Sequence, residues 1–219
     1  MPDVTLRILL ADDQESVRVG FRLILEAQPD MEVVGEAADG QQAVELAARL
    51  HPDVVLADIR MPRLDGLEVT RRLASPEAEQ PVRVVVVTTF GLDAYVHTAL
   101  EYGACGFLLK RSGPALLVEA VRAAMAGDTL ISPSLTVSLL RHHRNAGRPR
   151  PVQPPDALTS RETEIARLVA KGLTNAEIGA ALFISPGTAK THIASIQRKL
   201  TVRNRVGIAA WVWANGLEE

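Results

Sequence analysis

The chain has 219 residues and a formal net charge of −2, with 47% hydrophobic and 23% charged residues, which is ordinary for a globular protein of one or two domains. No apolar stretch reaches the ~20 residues that a membrane helix needs, and the amino-terminal segment MPDVTLRILLADD lacks a signal-peptide layout, so we expect a cytoplasmic protein. The single cysteine, Cys105, excludes an internal disulfide and a cysteine-based zinc site.

The first 128 residues alternate between strand and helix patterns. Five short apolar runs predict strands, namely RILLAD, EVVGEA, VVLAD, VRVVVVT and CGFLLK. The segments between them have helical patterns. Strands that are apolar throughout are covered on both faces, as parallel strands are. The pattern therefore predicts an α/β domain with a doubly wound (βα)5 parallel sheet of the flavodoxin-like type. Gly103 and Gly127 are expected to end helices, and Pro114 to begin one.

Polar side chains stand where four of these strands end. Asp12 and Asp13 follow the first strand, Asp58 the third, Thr88 the fourth and Lys110 the fifth. Parallel strands of an open sheet bring such ends to one crevice, where α/β proteins bind ligands. Taken singly, each residue would be an ordinary cap, turn or strand terminus. Together they predict a site for a divalent cation and a phosphoryl group.

Residues 129–155 are predicted to connect two domains. Ser132 and Pro133 are suited to the start of a short helix, as N-cap and first helical residue. The proline-rich stretch NAGRPRPVQPP then favours neither helix nor sheet and is typical of a semi-rigid linker.

Residues 156–219 are predicted to form a compact bundle of four helices. Thr159 with Glu162 and Thr174 with Glu177 have the spacing of capping boxes. Ser185 is expected to cap a third helix that has proline at its first position, and Asn204 is suited to open a fourth.

The second and third of these helices have the length and apolar spacing of a helix-turn-helix. A helical wheel of the third helix places short polar residues opposite its buried stripe and cations on the flanks, and two arginines follow the helix. Charge supports a nucleic-acid partner, since residues 1–128 carry a net charge of −8 and residues 129–219 one of +6. The alternative is a solvated face of a small bundle. The candidate DNA-binding residues are Thr188, Lys190, Thr191, His192, Ala194, Ser195, Arg198, Lys199, Arg203 and Arg205.

Six segments, in order and spacing, resemble a known family. The first four are ADD at residues 11–13, DIRMPRLDG at residues 58–66, VVVVTTF ending at residue 90 and GACGFLLK ending at Lys110. The other two are LTSRETEIARLVAKGLTNAEI and SPGTAKTHIASIQRKL. Over nearly its whole length the chain resembles a two-component response regulator of the NarL/FixJ class, with a receiver domain and a LuxR-type helix-turn-helix domain.

The resemblance implies roles for the residues of the crevice. Asp58 would accept a phosphoryl group from a phosphohistidine of a sensor histidine kinase. Mg²⁺ would be held by Asp12, Asp13, Asp58 and the backbone carbonyl of Arg60, and Lys110 would pair with a phosphoryl oxygen. Thr88 and Phe107 would form the switch: the hydroxyl turns to the phosphoryl group and the ring moves inward.

The resemblance also implies a mode of action. The protein would be a transcription regulator and not an enzyme, apart from phosphoacceptor chemistry and slow autodephosphorylation. It would bind double-stranded promoter DNA as a phosphorylation-dependent homodimer, on inverted or direct half-sites, with RNA polymerase as a candidate partner and no membrane contact. Val206, Ala210 and Trp213 form the candidate dimer surface of the DNA-binding domain; alternatively they complete its core.

Three other functions and one hypothesis complete the sequence-based expectations. A small-molecule sensor with the same output domain would need an apolar ligand cavity. The low aromatic content of 4% and the carboxylate cluster argue against this function. A receiver that is never phosphorylated and acts constitutively is a second alternative, and a phosphotransfer enzyme proper is a third. We further hypothesise that the unphosphorylated receiver masks the recognition helix, because the domains carry opposite charges and a linker joins them.

Overall fold

The computed structural model describes residues 5–74, 81–89, 93–131 and 157–217. The first domain contains, in chain order, β1 (Leu6–Ala11), α1 (Glu15–Glu26), β2 (Met31–Ala37), α2 (Gly40–Leu50), β3 (Val54–Ala57), α3 (Gly66–Leu73), β4 (Arg83–Thr88), α4 (Asp93–Glu101), β5 (Gly106–Leu109), α5 (Pro114–Ala126) and β6 (Leu130–Ile131). The second contains α6 (Ser160–Ala170), α7 (Asn175–Leu182), α8 (Pro186–Leu200) and α9 (Arg205–Ala214).

The six strands form one parallel sheet in the order β2-β1-β3-β4-β5-β6. The predicted doubly wound α/β architecture is confirmed. The prediction of five strands was one short: Leu130 and Ile131 pair with Gly106 and Phe107 of β5. Two residues are too few to show the alternation or the apolar run by which a strand is recognised, so β6 was missed.

Helices cover both faces of the sheet, which explains the uninterrupted apolar strands. Successive side chains of β1 point to opposite faces, so that Ile8 packs in one core with α1 and α5. Its neighbour Leu9 packs in the other core with α2, α3 and α4. The predicted helix ends are also confirmed: Gly103 and Gly127 have φ values of +100° and +85°, and Pro114 occupies the first turn of α5.

The start of α3 lies directly against the end of β3. The backbone N–H of Gly66 donates to the carbonyl oxygen of Ile59 at 2.9 Å. A Cβ atom on Gly66 would lie 2.0 Å from the carbonyl oxygen of Asp58. Only glycine permits this approach, which fixes the backbone that carries the Asp58 side chain.

The second domain has a core of its own, built mainly from isoleucine. Both capping boxes are present, with Thr159 and Thr174 each accepting from the backbone N–H three residues on. Ser185 and Asn204 cap α8 and α9 as predicted. The buried side chains of the core are Ile165, Ala166, Val169, Ile178, Ala189, Ile193, Ile196, Leu200, Ile208 and Val212.

The predicted connection between the domains lies largely outside the described residues. This applies to the helix expected at Ser132 and Pro133 and to the proline-rich stretch. The predicted boundaries, 1–128, 129–155 and 156–219, therefore stay predictions. Within the described ranges, no helix combines the length and apolar character needed to cross a membrane.

We expect Gly66→Ala to destabilise the first domain by about 3 kcal/mol, because the added methyl group meets the backbone of Asp58. Gly20→Ala is the control: a Cβ there meets nothing within 4 Å, so helix propensity should raise stability by about 0.5 to 1 kcal/mol. Urea unfolding of both variants measures the difference. Equal stability of Gly66→Ala and the unsubstituted protein would contradict this account.

Candidate functional site

Three carboxylates meet at the carboxyl ends of β1 and β3. Asp12 and Asp58 are buried, with 3% and 5% of their surfaces exposed, whereas Asp13 is exposed. One oxygen from each lies within 4.8 Å of the other two. The predicted crevice therefore exists, and its donors are hard oxygen atoms that suit Mg²⁺.

Lys110 joins the two buried carboxylates. Its Nζ lies 2.7 Å from Oδ2 of Asp12 and 2.9 Å from Oδ2 of Asp58. Burial lowers the pKa of Lys110, but the hydrogen bonds to Asp12 and Asp58 outweigh it and raise the pKa. The pKa of Asp12 is raised above its ordinary value, mainly by burial and also by the nearby Asp58 carboxylate, although hydrogen bonds from Lys110 and the Gln14 backbone lower it. The ammonium group thus compensates negative charge that would otherwise be buried without a partner.

Backbone groups fix the orientation of these carboxylates. Oδ1 of Asp58 accepts from the N–H of Ile59 at 2.8 Å, and Oδ1 of Asp12 accepts from the N–H of Gln14 at 3.0 Å. Arg18 of α1 donates to the carbonyl oxygen of Asp12 at 2.7 Å. The sequence did not single out Arg18, since an arginine on an amphipathic helix carries no signal of such a contact.

Thr88 and Lys110 are neighbours at the ends of β4 and β5. Thr88 is buried, and its carbonyl oxygen accepts from the N–H of Lys110 at 2.8 Å. Phe107 has no exposed surface and packs in the core shared with α2, α3 and α4. The resemblance implied that this ring moves inward on phosphorylation, but in this structure the ring is already buried. The side chain lacks the hydroxyl group of tyrosine, so nothing in it favours solvent over the core.

Arg60 lies on the exposed surface of the loop between β3 and α3, two residues after Asp58. With the three converging carboxylates, a backbone carbonyl of this loop would complete the protein's share of an octahedral Mg²⁺ site. The donor set thus fits the metal that the resemblance implies.

The recognition-helix candidate α8 has the predicted two-sided character. Its stripe of Ala189, Ile193, Ile196 and Leu200 is buried. The opposite side is exposed at Thr188, Lys190, Thr191, Ala194 and Arg198, and His192 is half-buried. Short side chains at its centre leave room for the edges of DNA bases, and the cations lie at its margins.

Two candidate DNA contacts on α8 are hydrogen-bonded within the DNA-binding domain. The buried carboxylate of Glu162 accepts from Lys199 Nζ at 2.7 Å and from Ser195 Oγ at 2.9 Å. Burial raises the pKa of Glu162, but hydrogen bonds from Lys199, Thr159 and Ser195 outweigh it and lower the pKa to about 2. The sequence identified Glu162 only as a capping-box residue, because a contact with a helix 33 residues on leaves no local pattern.

Two arginines that follow α8 contact the first domain. Arg205 is buried, forms an ion pair with Asp128 and donates to the carbonyl oxygen of Leu173. Arg203 donates to the carbonyl oxygen of Tyr102 at 3.3 Å. In this structure, therefore, neither guanidinium group lies on the face formed by the exposed residues of α8.

Other side chains of the second domain bind the carboxyl ends of helices of the first domain. Lys190 Nζ donates to the carbonyl oxygen of Met125 at 3.0 Å, and Asn175 Nδ2 donates to that of Ala126 at 2.8 Å. Asn204 Nδ2 donates to the carbonyl oxygen of Leu100 at 2.5 Å. These contacts dock the second domain on α4 and α5.

A cavity of about 690 Å³ lies between the docked domains. Its walls include Leu100 and His97 of α4 and three residues of α9, namely Val206, Ala210 and Trp213. Trp213 is 43% exposed, whereas Ile208 and Val212 of the same helix are buried in the domain core. The candidate dimer surface thus faces the receiver in this structure.

Comparison with known proteins identifies both halves of the chain. Residues 8–122 match the family model described as response regulator receiver domain, and residues 156–212 match bacterial regulatory proteins, luxR family. The transcriptional regulatory protein LiaR of Bacillus subtilis (strain 168) is 42% identical over 212 residues, covering 97% of this chain and 99% of LiaR. The chain belongs to the NarL/FixJ class of response regulators. The resemblance inferred from the sequence is confirmed.

Other relatives of this response regulator agree. The nitrate/nitrite response regulator protein NarL of Escherichia coli (strain K12) is 38% identical over 205 residues, covering 94% of each chain. The crystal structure of the response regulator ChrA of a heme-sensing two-component system matches with a TM-score of 0.54 and 35% identity, covering 98% of this chain and 99% of ChrA. The response regulator is thus a transcriptional regulator of a two-component system, with a receiver and a LuxR-type DNA-binding domain.

Proposed function

We propose that Asp58 accepts a phosphoryl group from a phosphohistidine of a sensor histidine kinase and that the modified receiver releases its partner domain to bind promoter DNA. The proposal rests on one observation, the convergence of Asp12, Asp13, Asp58 and Lys110 at the strand ends. A carboxylate is a competent nucleophile and forms a labile acyl phosphate. The P–N bond of the phosphohistidine breaks, a P–O bond to Asp58 forms, and the imidazole leaves with the electron pair and takes up a proton.

Mg²⁺ would be held by Asp12, Asp13, Asp58 and the backbone carbonyl of Arg60. When bound, the ion offsets the negative charge of the transferring phosphoryl oxygens. Lys110 adds a second positive charge, because its Nζ already lies beside Oδ2 of Asp58. It would exchange its carboxylate partner for a phosphoryl oxygen without a large movement.

We assign the switch to the residues beside Lys110. The hydroxyl of Thr88 stands one strand away from the acceptor and would turn to hydrogen-bond the phosphoryl group. Phe107 packs in the same core as Val96 of α4. A movement of α4 would therefore change the packing around this ring. Because the ring is already buried, we propose that it repacks inside the core and does not enter it from solvent.

For DNA, we propose that α8 lies in the major groove and that two kinds of side chain share the work. Thr188, Thr191 and Ala194 approach base edges, while Lys190, His192 and Arg198 bind phosphates. Ser195 and Lys199 act through Glu162 as supports of the helix. Arg203 and Arg205 become available to DNA only if the receiver is undocked, since both bind it here.

We propose that the protein binds two half-sites as a homodimer through α9. The domain core is filled by Ile208 and Val212, and Val206, Ala210 and Trp213 lie on other sides of the helix. A partly exposed tryptophan in an apolar wall favours contact with a second copy. RNA polymerase is a further candidate partner once the dimer is on a promoter.

We propose no enzymatic role beyond phosphoacceptor chemistry and slow hydrolysis of the protein's own acyl phosphate. The partners of the proposal, a kinase phosphohistidine and promoter DNA, place the protein in the cytoplasm. The alternative function is a receiver that acts without phosphorylation. In that case Asp58 would not accept a phosphoryl group.

Asp58→Asn should abolish phosphorylation, because the amide keeps the shape of the carboxylate and is not a nucleophile. Intact-mass measurement after incubation with acetyl phosphate and Mg²⁺ should show one added phosphoryl group on the unsubstituted protein and none on the variant. Asp53→Asn, at the opposite end of β3, is the matched control and should still be modified. Absence of an Asp58-dependent mass gain would favour the constitutive receiver.

Lys190→Met should weaken DNA binding by the phosphorylated protein and reduce the slope of log Kd against log salt concentration by about 1, because one phosphate contact is lost. Lys199→Met is the contrast: its ammonium is bound to Glu162, so the slope should stay unchanged. Fluorescence anisotropy over a salt series measures both. A reduced slope for Lys199→Met and not for Lys190→Met would reverse our assignment.

We further propose that docking of the two domains masks the recognition helix. Lys190 is bound to the carbonyl oxygen of Met125, at the negative end of the α5 dipole, and this contact holds its ammonium group against the receiver. The carboxyl end of α5 thus takes the place that a phosphate would have.

If docking masks the helix, residues 150–219 alone should bind DNA about tenfold or more tightly than the unphosphorylated whole chain. This fragment contains the complete isoleucine-rich core and so has what it needs to fold. Gel-shift titration of the two proteins measures the ratio. Equal affinities would refute masking.

A further inference from the structure

The phosphorylation site and the docked domain lie at opposite edges of the receiver sheet. Asp58 follows the carboxyl end of β3. The helices run back along the strands, so that Leu100 at the end of α4 and Ala126 at the end of α5 lie at the amino edge. The interdomain hydrogen bonds described above are made there. A signal from Asp58 must therefore travel the length of the domain, and α4, with nine residues, spans about 13 Å of it.

Asn204 connects the far end of α4 to the DNA-binding domain through the two atoms of one amide group. Its Oδ1 accepts from the N–H of Gly207 at 3.0 Å and so caps α9. Its Nδ2 donates to the carbonyl oxygen of Leu100 at 2.5 Å and lies 3.4 Å from that of Ala104. The side chain is buried, with 6% of the residue exposed.

The carbonyl oxygen of Leu100 lies in the last turn of α4 and also accepts from the backbone N–H of Gly103 at 3.0 Å, so that Asn204 is its second donor. Leu100 belongs to the last turn of α4, so the asparagine closes a receiver helix and opens a DNA-domain helix at once. Val206, two residues on, packs against the receiver core that contains Val96 and Phe107. A small displacement of α4 therefore changes a buried hydrogen bond and an apolar contact together.

We propose that Asn204 is the positioning residue through which the state of α4 reaches the DNA-binding domain. Displacement of α4 after phosphorylation of Asp58 withdraws the carbonyl oxygen of Leu100, and the domain is released, which exposes the candidate dimer surface of α9 and frees Lys190 of α8 from the carbonyl oxygen of Met125. This inference rests on the proposed masking and assigns its control to one side chain.

Two substitutions separate the two functions of this amide. Asn204→Asp keeps an acceptor that caps α9 but replaces the donor with a charged oxygen that faces a carbonyl group. Asn204→Ser also caps a helix well and merely removes the donor. Asn215→Asp, at the C-cap of the same helix, is the matched control, because the Asn215 amide donates to the carbonyl oxygen of Trp211 within its own domain.

DNA affinity of the unphosphorylated full-length chain is the first measurement. We expect Asn204→Asp to bind about tenfold more tightly than the unsubstituted protein, approaching its phosphorylated form, and Asn204→Ser to lie between them. Asn215→Asp should bind like the unsubstituted protein. Thermal unfolding of each variant confirms that the DNA-binding domain is folded.

Binding of beryllium fluoride with Mg²⁺, a non-covalent phosphoryl mimic, is the second measurement. DNA and the mimic would both favour the released state, so Asn204→Asp, which shifts the equilibrium toward that state, should bind the mimic more tightly as well. A purely structural role of Asn204 within its own domain would leave this affinity unchanged.

The outcomes separate the two proposals. Equal DNA affinity of the fragment 150–219 and the unphosphorylated chain overturns masking, and the role of Asn204 with it. If the fragment binds more tightly but both Asn204 variants behave like the unsubstituted protein, masking stands and the assignment to Asn204 is wrong. A gain in DNA affinity without a gain in affinity for beryllium fluoride also overturns the assignment.

Discussion

The electrostatic balance between Lys110 and the carboxylates of Asp12 and Asp58 is the constraint on which the receiver depends. Two acidic groups that are almost fully buried need a cation, and Lys110 is held between them at 2.7 and 2.9 Å. The same charge arrangement suits the proposed metal ion and phosphoryl group, since opposite charges already compensate one another in this site. Stability and chemistry thus draw on one set of side chains, and this links occupancy of the crevice to the conformation of the strand ends.

Much of the architecture follows from local sequence. Uninterrupted apolar runs identified five of the six strands, and caps such as Thr159 and Asn204 located helix starts, because these signals act within a few residues. The crevice was also predictable, since parallel strands that end in polar residues must bring them to one edge. The strand β6 was not, because a pair of residues shows no periodicity.

Contacts between distant residues explain what the sequence left open. Lys199 and Lys190 have the same charge and lie on the same helix, yet one is bound to Glu162 and the other to the end of α5. Nothing in the helical wheel distinguishes them, because the difference arises from which elements pack against each side of α8. The complete burial of Phe107 was also not predictable from local sequence, because it depends on the helices that pack against β5.

The bond between Glu162 and α8 has a consequence for how new operators are acquired. The recognition helix is anchored on its inner side by a buried carboxylate and by a stripe of apolar residues, and its outer positions Thr188, Thr191 and Ala194 support no part of the fold core. Under the proposed role of α8 in DNA binding, substitutions there change the surface offered to base pairs at little cost in folding free energy. On that proposal, such a regulator acquires a new operator through exchange of a few outer side chains of α8, while the receiver domain stays as it is.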